Sequence, residues 1–400
     1  MQFKVIVLAG LAVLLCPYVS AQQRVSEDVF LEPFEVDHAA LRALEGGVAR
    51  AQGTLRRAGA LANPTLAFER EQPADEAGET TWSLAWRPPL DGRRGLAQDA
   101  ARSGLEAERS ELASDRLALR QELRGIFAAW SLGWERKELL LRQAERVREL
   151  SARMHRLAEA GEVSGLAARR LALVLVATRA ELAFAEAELA RAEAEARTWR
   201  PDLGLDAHPV PASLPVLPDT EIDTERPDVA AARHRSEQAA FERRLRDRFF
   251  RFPELYGGFK RITLGDTVAE GPVFGFKWSV PVFDRDQGER VEAEVMERVR
   301  EADLQLTTAR ARAERRGLLS AYSRLRDAAL EAASGVEGIE LLVEATEAAL
   351  RAGEASVTDL VDTLRSVQAA RLGEIALREA ALRGHREVER ALGHRLGGQS

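Results

Sequence analysis

Cysteine is nearly absent. Cys16 is the single one among 400 residues, and it lies in the apolar leader. A disulfide framework and a thiolate metal site are both excluded for the chain that follows. Methionine is equally sparse, with only Met154 and Met296 after the first residue. The six histidines, at 38, 155, 208, 234, 385 and 394, show no ligand spacing between neighbours. No dedicated soft-metal site is expected. The sequence has no P-loop, no dinucleotide glycine motif, no Gly-x-Ser-x-Gly elbow and no His-Glu-x-x-His. These absences argue against an enzyme and against a bound cofactor. Past the leader there is no run of eighteen apolar residues, so no helical membrane span is expected. The net charge of -7 comes with no basic tract, which argues against nucleic acid as a partner.

The leader itself is informative. Lys4 is its only charge, Val5 to Leu15 is almost unbroken apolar sequence, and Val19-Ser20-Ala21 offers small residues for cleavage after Ala21. Residues 1–21 read as a secretory signal. Leu15 precedes Cys16 where a lipid-attachment motif wants a small residue, so lipidation is not expected.

Proline is missing from two long stretches, between Pro89 and Pro201 and after Pro281. Both are rich in Ala, Leu, Glu and Arg, good helix formers. Their apolar residues recur at three-and-four spacing. Val147, Leu150, Met154 and Leu157 make one stripe, Val336, Ile339, Val343, Thr346 and Leu350 a second, and Val357, Leu360, Leu364 and Val367 a third. Such stripes predict coiled-coil packing. The two halves also repeat at an offset of 192 residues: Ala160-Gly161-Glu162-Val163-Ser164 matches Ala352-Gly353-Glu354-Ala355-Ser356, Trp86 matches Trp278, and Pro89 matches Pro281. The shared offset in separate places predicts a duplication. Each Ala-Gly-Glu-x-Ser element reads as the sharp turn of a helical hairpin, with Gly taking the turn conformation and Ser capping the next helix. The leading arm of the first hairpin, from Arg93 to Ala160, would be about 100 Å long.

The predicted organisation is a first repeat over 22–200, a proline-rich extended connector over 201–227, and a second repeat over 228–397. Each repeat holds a helix, a β-hairpin and a long helical hairpin. The β-hairpins lie at about 64–90 and 252–283, and the tips at 160–164 and 352–356. Strands are expected at Thr80 to Leu90 and Val273 to Phe283, because apolar and aromatic residues alternate there, and each is preceded by a weaker candidate, Thr65 to Gln72 and Glu254 to Leu264. Acidic turn-rich segments, Pro73 to Glu79 and Gly265 to Gly271, separate the pairs. Strands of this length suit an outer membrane. Four strands cannot close a barrel, and open edges are forbidden in lipid, so several chains must associate; three would give twelve strands. Against this, Glu69, Arg70, Lys260 and Arg261 interrupt the weaker strands, and two soluble hairpins packed on helices would fit the same pattern.

Several phrases resemble the TolC-type outer-membrane efflux factor family, in order along the whole chain. Asn63-Pro64-Thr65-Leu66 resembles its approach to the first strand, and Arg226-Pro227-Asp228-Val229-Ala230-Ala231-Ala232 the start of its second repeat. Phe252-Pro253-Glu254-Leu255 resembles the opening of its third strand. Arg351-Ala352-Gly353-Glu354-Ala355-Ser356 with Asp359-Leu360-Val361-Asp362 resembles its periplasmic tip. The resemblance implies a mainly α chain with a small β part. It would form a homotrimer with a twelve-stranded β-barrel in outer-membrane lipid and a coiled-coil α-barrel in the periplasm. Its tips would meet a periplasmic adaptor and, through it, an inner-membrane efflux transporter. Asn63-Pro64 and Ala352-Gly353-Glu354 are most similar to the cobalt-zinc-cadmium group, which implies heavy-metal cations as cargo. The alternative from another class is a periplasmic coiled-coil adaptor or scaffold.

Two sets of site residues follow. Gly161, Glu162 and Ser164 with Gly353, Glu354 and Ser356 are expected to form exposed turns, and the resemblance implies that they touch the adaptor. Asp359 and Asp362 are three apart and share a helix face. In three chains they would place six carboxylates about one axis, which would attract cations and raise some of the carboxylate pKa values. The resemblance implies a lumen gate there. Ser356 and Asp359 also have the spacing of a capping box, yet Ser164 keeps its cap position with Ala167 and Arg170 where the second copy has Asp359 and Asp362.

Overall fold

The computed structural model describes residues 24–36, 38–72, 78–216, 225–394 and 396. Residues 1–21, read above as a secretory signal and holding Cys16, the segment 73–77 and residues 217–224 of the expected connector lie outside the described residues. The chain is mainly helical. A short strand β1 (Arg24–Val25) leads into α1 (Glu27–Val36) and α2 (Ala39–Gly59). Strands β2 (Thr65–Glu71) and β3 (Gly78–Trp86) precede α3 (Arg93–Glu159) and α4 (Gly165–Trp199). After β4 (His208–Pro209) the order recurs as α5 (Pro227–Asp247), β5 (Glu254–Leu264), β6 (Thr267–Lys277), α6 (Gln287–Gly335), α7 (Glu340–Ala352) and α8 (Val357–Leu392). Two compact units share these elements. One takes Met1–Glu32, Ile126–Ser213 and Gly338–Ile375, and the other Pro33–Gly125, Leu214–Glu337 and Ala376–Ser400.

In the first unit the three apolar stripes converge. Val147, Leu150 and Met154 of α3 pack with Ala168, Leu171 and Val174 of α4, Val343 of α7, and Leu360, Val361, Leu364 and Val367 of α8. Each buried Val or Leu of this kind contributes about 1.5–3 kcal/mol relative to exposure. A polar layer crosses the same core: Gln143 Nε2 donates to Gln368 Oε1 at 2.8 Å, and Gln368 donates to Glu181. Parts of the connector are packed down rather than lying free. Leu203, Ala207 and Ala212 are buried, β4 pairs in parallel with β1, and the Ser131 hydroxyl donates to Val210 O (3.1 Å) and accepts from Ala212 N (3.2 Å). Ser131 thereby satisfies polar backbone that burial would otherwise leave unpaired.

In the second unit the four longer strands form one antiparallel sheet in the order β2-β3-β5-β6. The two hairpins are joined by β3 pairing with β5, from Gly78↔Thr263 to Trp86↔Leu255. The fourth strand departs from the expected Val273 to Phe283. It runs Thr267–Lys277 because the turn is only Gly265 and Asp266, with Gly265 at φ 55°. Residues 267–271 of the stretch read as an acidic turn are therefore strand, and Trp278 to Phe283 lies beyond it. Pro272 is tolerated because β6 is an edge strand. The second strand likewise stops at Trp86, ahead of Pro88 and Pro89. The leading arm of the second hairpin is interrupted between α6 and α7, where Gly338 has φ 71°, whereas α3 continues for 67 residues. Tyr322, His385, Val388 and Ala381 are buried in this unit's helical core, and Tyr322 Oη donates to Pro215 O at 2.6 Å.

Candidate functional site

Both hairpin turns are built the same way. Helix α3 closes with Gly161 N donating to Ala158 O (3.1 Å) and Glu162 N to Leu157 O (2.9 Å). Helix α7 closes with Gly353 N donating to Leu350 O (3.2 Å) and Glu354 N to Ala349 O (2.9 Å). Gly161 and Gly353 both stand at φ 77°. This is the Schellman termination, which places C′ in the left-handed region where only Gly is unstrained. All three residues of the second set, Gly353, Glu354 and Ser356, stand 192 positions after those of the first. Gly161, Glu162, Ser164, Gly353, Glu354 and Ser356 are all exposed. They are thus brought to the surface of the first unit as two chemically matched turns.

The helices that leave the turns differ. Ser164 Oγ accepts from Ala167 N at 3.2 Å, and Ser356 Oγ accepts from Asp359 N at 3.2 Å. Only the second turn closes the reciprocal half: Asp359 Oδ2 accepts from both Ser356 N and Ser356 Oγ at 2.7 Å. The Ser356 peptide N–H first, then its hydroxyl, hold the Asp359 carboxyl below the ordinary carboxylate value. In the single chain this is opposite to the rise expected of a crowded ring. Asp359 and Asp362 are both exposed, while Leu360, Val361 and Leu364 turn into the core. The pair therefore presents two carboxylates on one solvent-facing strip. Beside them Arg170 of α4 donates to the Thr358 hydroxyl of α8.

Elsewhere in this unit, a cavity of about 520 Å³ lies between α3, α7 and α8, over Val343, Leu364 and Val367. The charges around it are engaged with one another. Arg371 is bidentate to Glu340 at 2.6 and 2.8 Å, and Arg146 reaches Glu347 at 2.8 Å. Among the described residues, no group of three or more His, Cys, Asp or Glu is placed to hold a metal ion. No described helix is long and apolar enough to cross a membrane.

The sheet of the second unit has two unlike faces. Cross-strand rows on one face read Leu66–Leu84–Gly257–Phe274 and Phe68–Trp82–Phe259–Pro272, with Trp86–Leu255–Phe276 beside them. These side chains are exposed, Phe274 by 79%. Phe68 and Trp82 pack with tilted rings, centroids 4.5 Å apart. The opposite face reads Ala67–Ser83–Gly258 and Glu69–Thr81–Lys260, with Lys260 Nζ 2.5 Å from Glu79. The charged residues that interrupted the strand pattern now sort themselves. Glu69 and Lys260 lie on the polar face. Arg70 and Arg261 share the row next to the apolar band, on the side of the hairpin turns, and Arg261 pairs with Glu270. Apolar outward and polar inward at period two is the alternation of a membrane barrel strand. Joining of the hairpins through β3 and β5 could not be read from the sequence, because it pairs residues far apart in the chain.

No family model and no curated relative matches the sequence. Solved structures do share the fold. CusC, studied for its folding and transmembrane channel formation, is 17% identical, with 92% of each chain covered and a TM-score of 0.76. The outer membrane protein VceC of Vibrio cholerae is 16% identical, covering 92% of this chain and 96% of that one, with a TM-score of 0.70. The MtrE outer membrane channel of Neisseria gonorrhoeae, in its open state, is 15% identical, covering 92% and 88%, with a TM-score of 0.71. The chain has the TolC-type fold of these proteins over nearly its whole length.

Proposed function

We propose that this chain is one subunit of a trimeric outer-membrane exit duct, a passive conduit rather than a catalyst. The observation that carries the reading is the four-stranded sheet. It exposes an aromatic face to its surroundings and leaves β2 and β6 with unpaired edges. In lipid those edges must pair, and joining β2 of one copy to β6 of the next satisfies every strand. The shared fold with outer-membrane channels supports the same location. An exposed apolar strip on α4, with Leu166, Leu173, Val176 and Phe184 (73% exposed), supports a second helical seam between copies. The exposed twin turns suit a periplasmic adaptor, and through it an inner-membrane transporter. Asp359 and Asp362 suit a cation-attracting gate, with heavy-metal cations as the cargo implied by the resemblance.

The periplasmic scaffold reading would leave this sheet face in water. Extraction of outer membranes in mild detergent tests the two. A heat-modifiable trimer is expected, and Phe184→Glu should reduce its yield. Recovery of a soluble periplasmic monomer would overturn the duct.

A further inference from the structure

The segments on either side of the β5–β6 hairpin carry the same pairing of side chains. Arg248, Phe249, Phe250 and Arg251 precede β5, and Trp278 to Arg285 follow β6. Phe249 and Phe250 are exposed, and Phe283 is 94% exposed. Two contacts bring the segments side by side. The rings of Phe250 and Trp278 are 5.9 Å apart, and Arg251 Nη2 lies 3.3 Å from Asp286 Oδ2. Alternation carries the line of Phe274 and Phe276 on to Trp278, so the patch continues the apolar sheet face at the end where strands meet helices.

The arginines near this end divide into two kinds. Arg93 donates to the carbonyls of Leu245 and Arg248, and Arg94 to that of Gly59, so both serve as caps for the ends of α5 and α2. Arg248 and Arg285 are exposed, and their side chains make no ion pair among the described residues. Arg251 keeps its guanidinium half exposed beside Asp286. Three guanidinium groups therefore stand free or partly free among Phe249, Phe250, Trp278 and Phe283. Trp favours the boundary between acyl chains and headgroups, and Phe beside it seats on the acyl side of that boundary. Guanidinium matches phosphate geometry and is weakly hydrated.

We propose that this patch is an interfacial anchor that recognises anionic phospholipid headgroups, with Arg248, Arg251 and Arg285 binding the phosphates and Phe250, Trp278 and Phe283 seated at the acyl boundary. The proposal rests on the outer-membrane reading above. It adds a chemical preference that burial of an apolar face does not require.

The test uses the full chain reconstituted into vesicles of phosphatidylcholine alone and with phosphatidylglycerol added. Native mass spectrometry then counts the lipids retained by the assembly. Phosphatidylglycerol should be retained in preference by roughly tenfold at low salt. The triple variant Arg248→Gln, Arg251→Gln, Arg285→Gln should insert and assemble but lose the preference. The double variant Arg248→Gln, Arg285→Gln, which disturbs no ion pair, should lose most of it. Inorganic phosphate should not displace the retained lipid. Equal retention of the two lipids by the unaltered chain, an unchanged preference in both variants, or displacement by phosphate would overturn the anchor. Failure to insert into either vesicle would instead overturn the outer-membrane reading.

Discussion

His385 gives the sharpest quantitative expectation. It is 1% exposed on α8, and neither ring nitrogen has a hydrogen-bond partner among the described residues. Its neighbour Glu389 is fully buried, but that carboxylate is taken. Oε2 accepts from Gln121 (2.6 Å) and from Arg124, and Oε1 accepts from Leu396 N (3.0 Å). His385 Nδ1 is left 4.0 Å from Oε1. Tyr322 packs its ring 5.3 Å from the imidazole, and burial raises its own hydroxyl to about 12, so it supplies no charge. Burial pushes the His385 pKa down to about 4. Glu389 opposes the shift, and Arg124 and Arg386 add to it.

The sign follows directly. The unfolded chain takes a proton on this histidine near pH 6.5, and the folded chain resists it until about pH 4. The folded state is thus favoured fully above about pH 6.5 and loses that advantage as pH falls towards 4. The loss is about 1 kcal/mol per chain at pH 6 and about 2.5 kcal/mol at pH 4.5. Denaturant titrations of the detergent-solubilised protein, followed by the helical signal, would measure it. His385→Leu should flatten the stability profile over that window. At neutral pH it should cost less than about 1 kcal/mol, because an imidazole without partners is exchanged for an apolar side chain. Parallel profiles for the variant and the unaltered chain would refute the argument.

The gate is tested by a substitution that spares the cap. Asp359→Asn with Asp362→Asn keeps an acceptor for Ser356 N and Oγ but removes the charges; single-channel recording should show loss of cation preference and of block by multivalent cations, with persistence of both refuting the role. At the tips, Gly353→Val forces a β-branched residue to φ 77° at a cost of roughly 1–2 kcal/mol or more. Efflux should be lost in cells while trimers remain in the membrane; normal efflux would count against close contact with an adaptor.

The stripes, the repeat and the twin turns were legible in the sequence because each is local. A three-and-four spacing marks one helix face, and Gly161 and Gly353 mark the same left-handed termination 192 residues apart. The alternation of Trp82, Leu84 and Trp86 likewise marked a two-faced strand. The extent of β6 was misread because the alternation runs on past Lys277 to Phe283, and only cross-strand pairing decides where a strand ends. The union of the hairpins through β3 and β5 was hidden for the same reason, since it pairs residues that lie far apart in the chain. The interruption at Gly338 kept the apolar spacing on either side, so periodicity passed over it. His385 read as one isolated histidine among six. Its low pKa arises from burial, with Arg124 and Arg386 adding to the shift against Glu389, and Glu389 is itself satisfied from other elements. Burial and long-range pairing are properties of the assembled chain, so tertiary structure alone decided them, whereas the sequence by itself determined the helices, their seams and the turns between them.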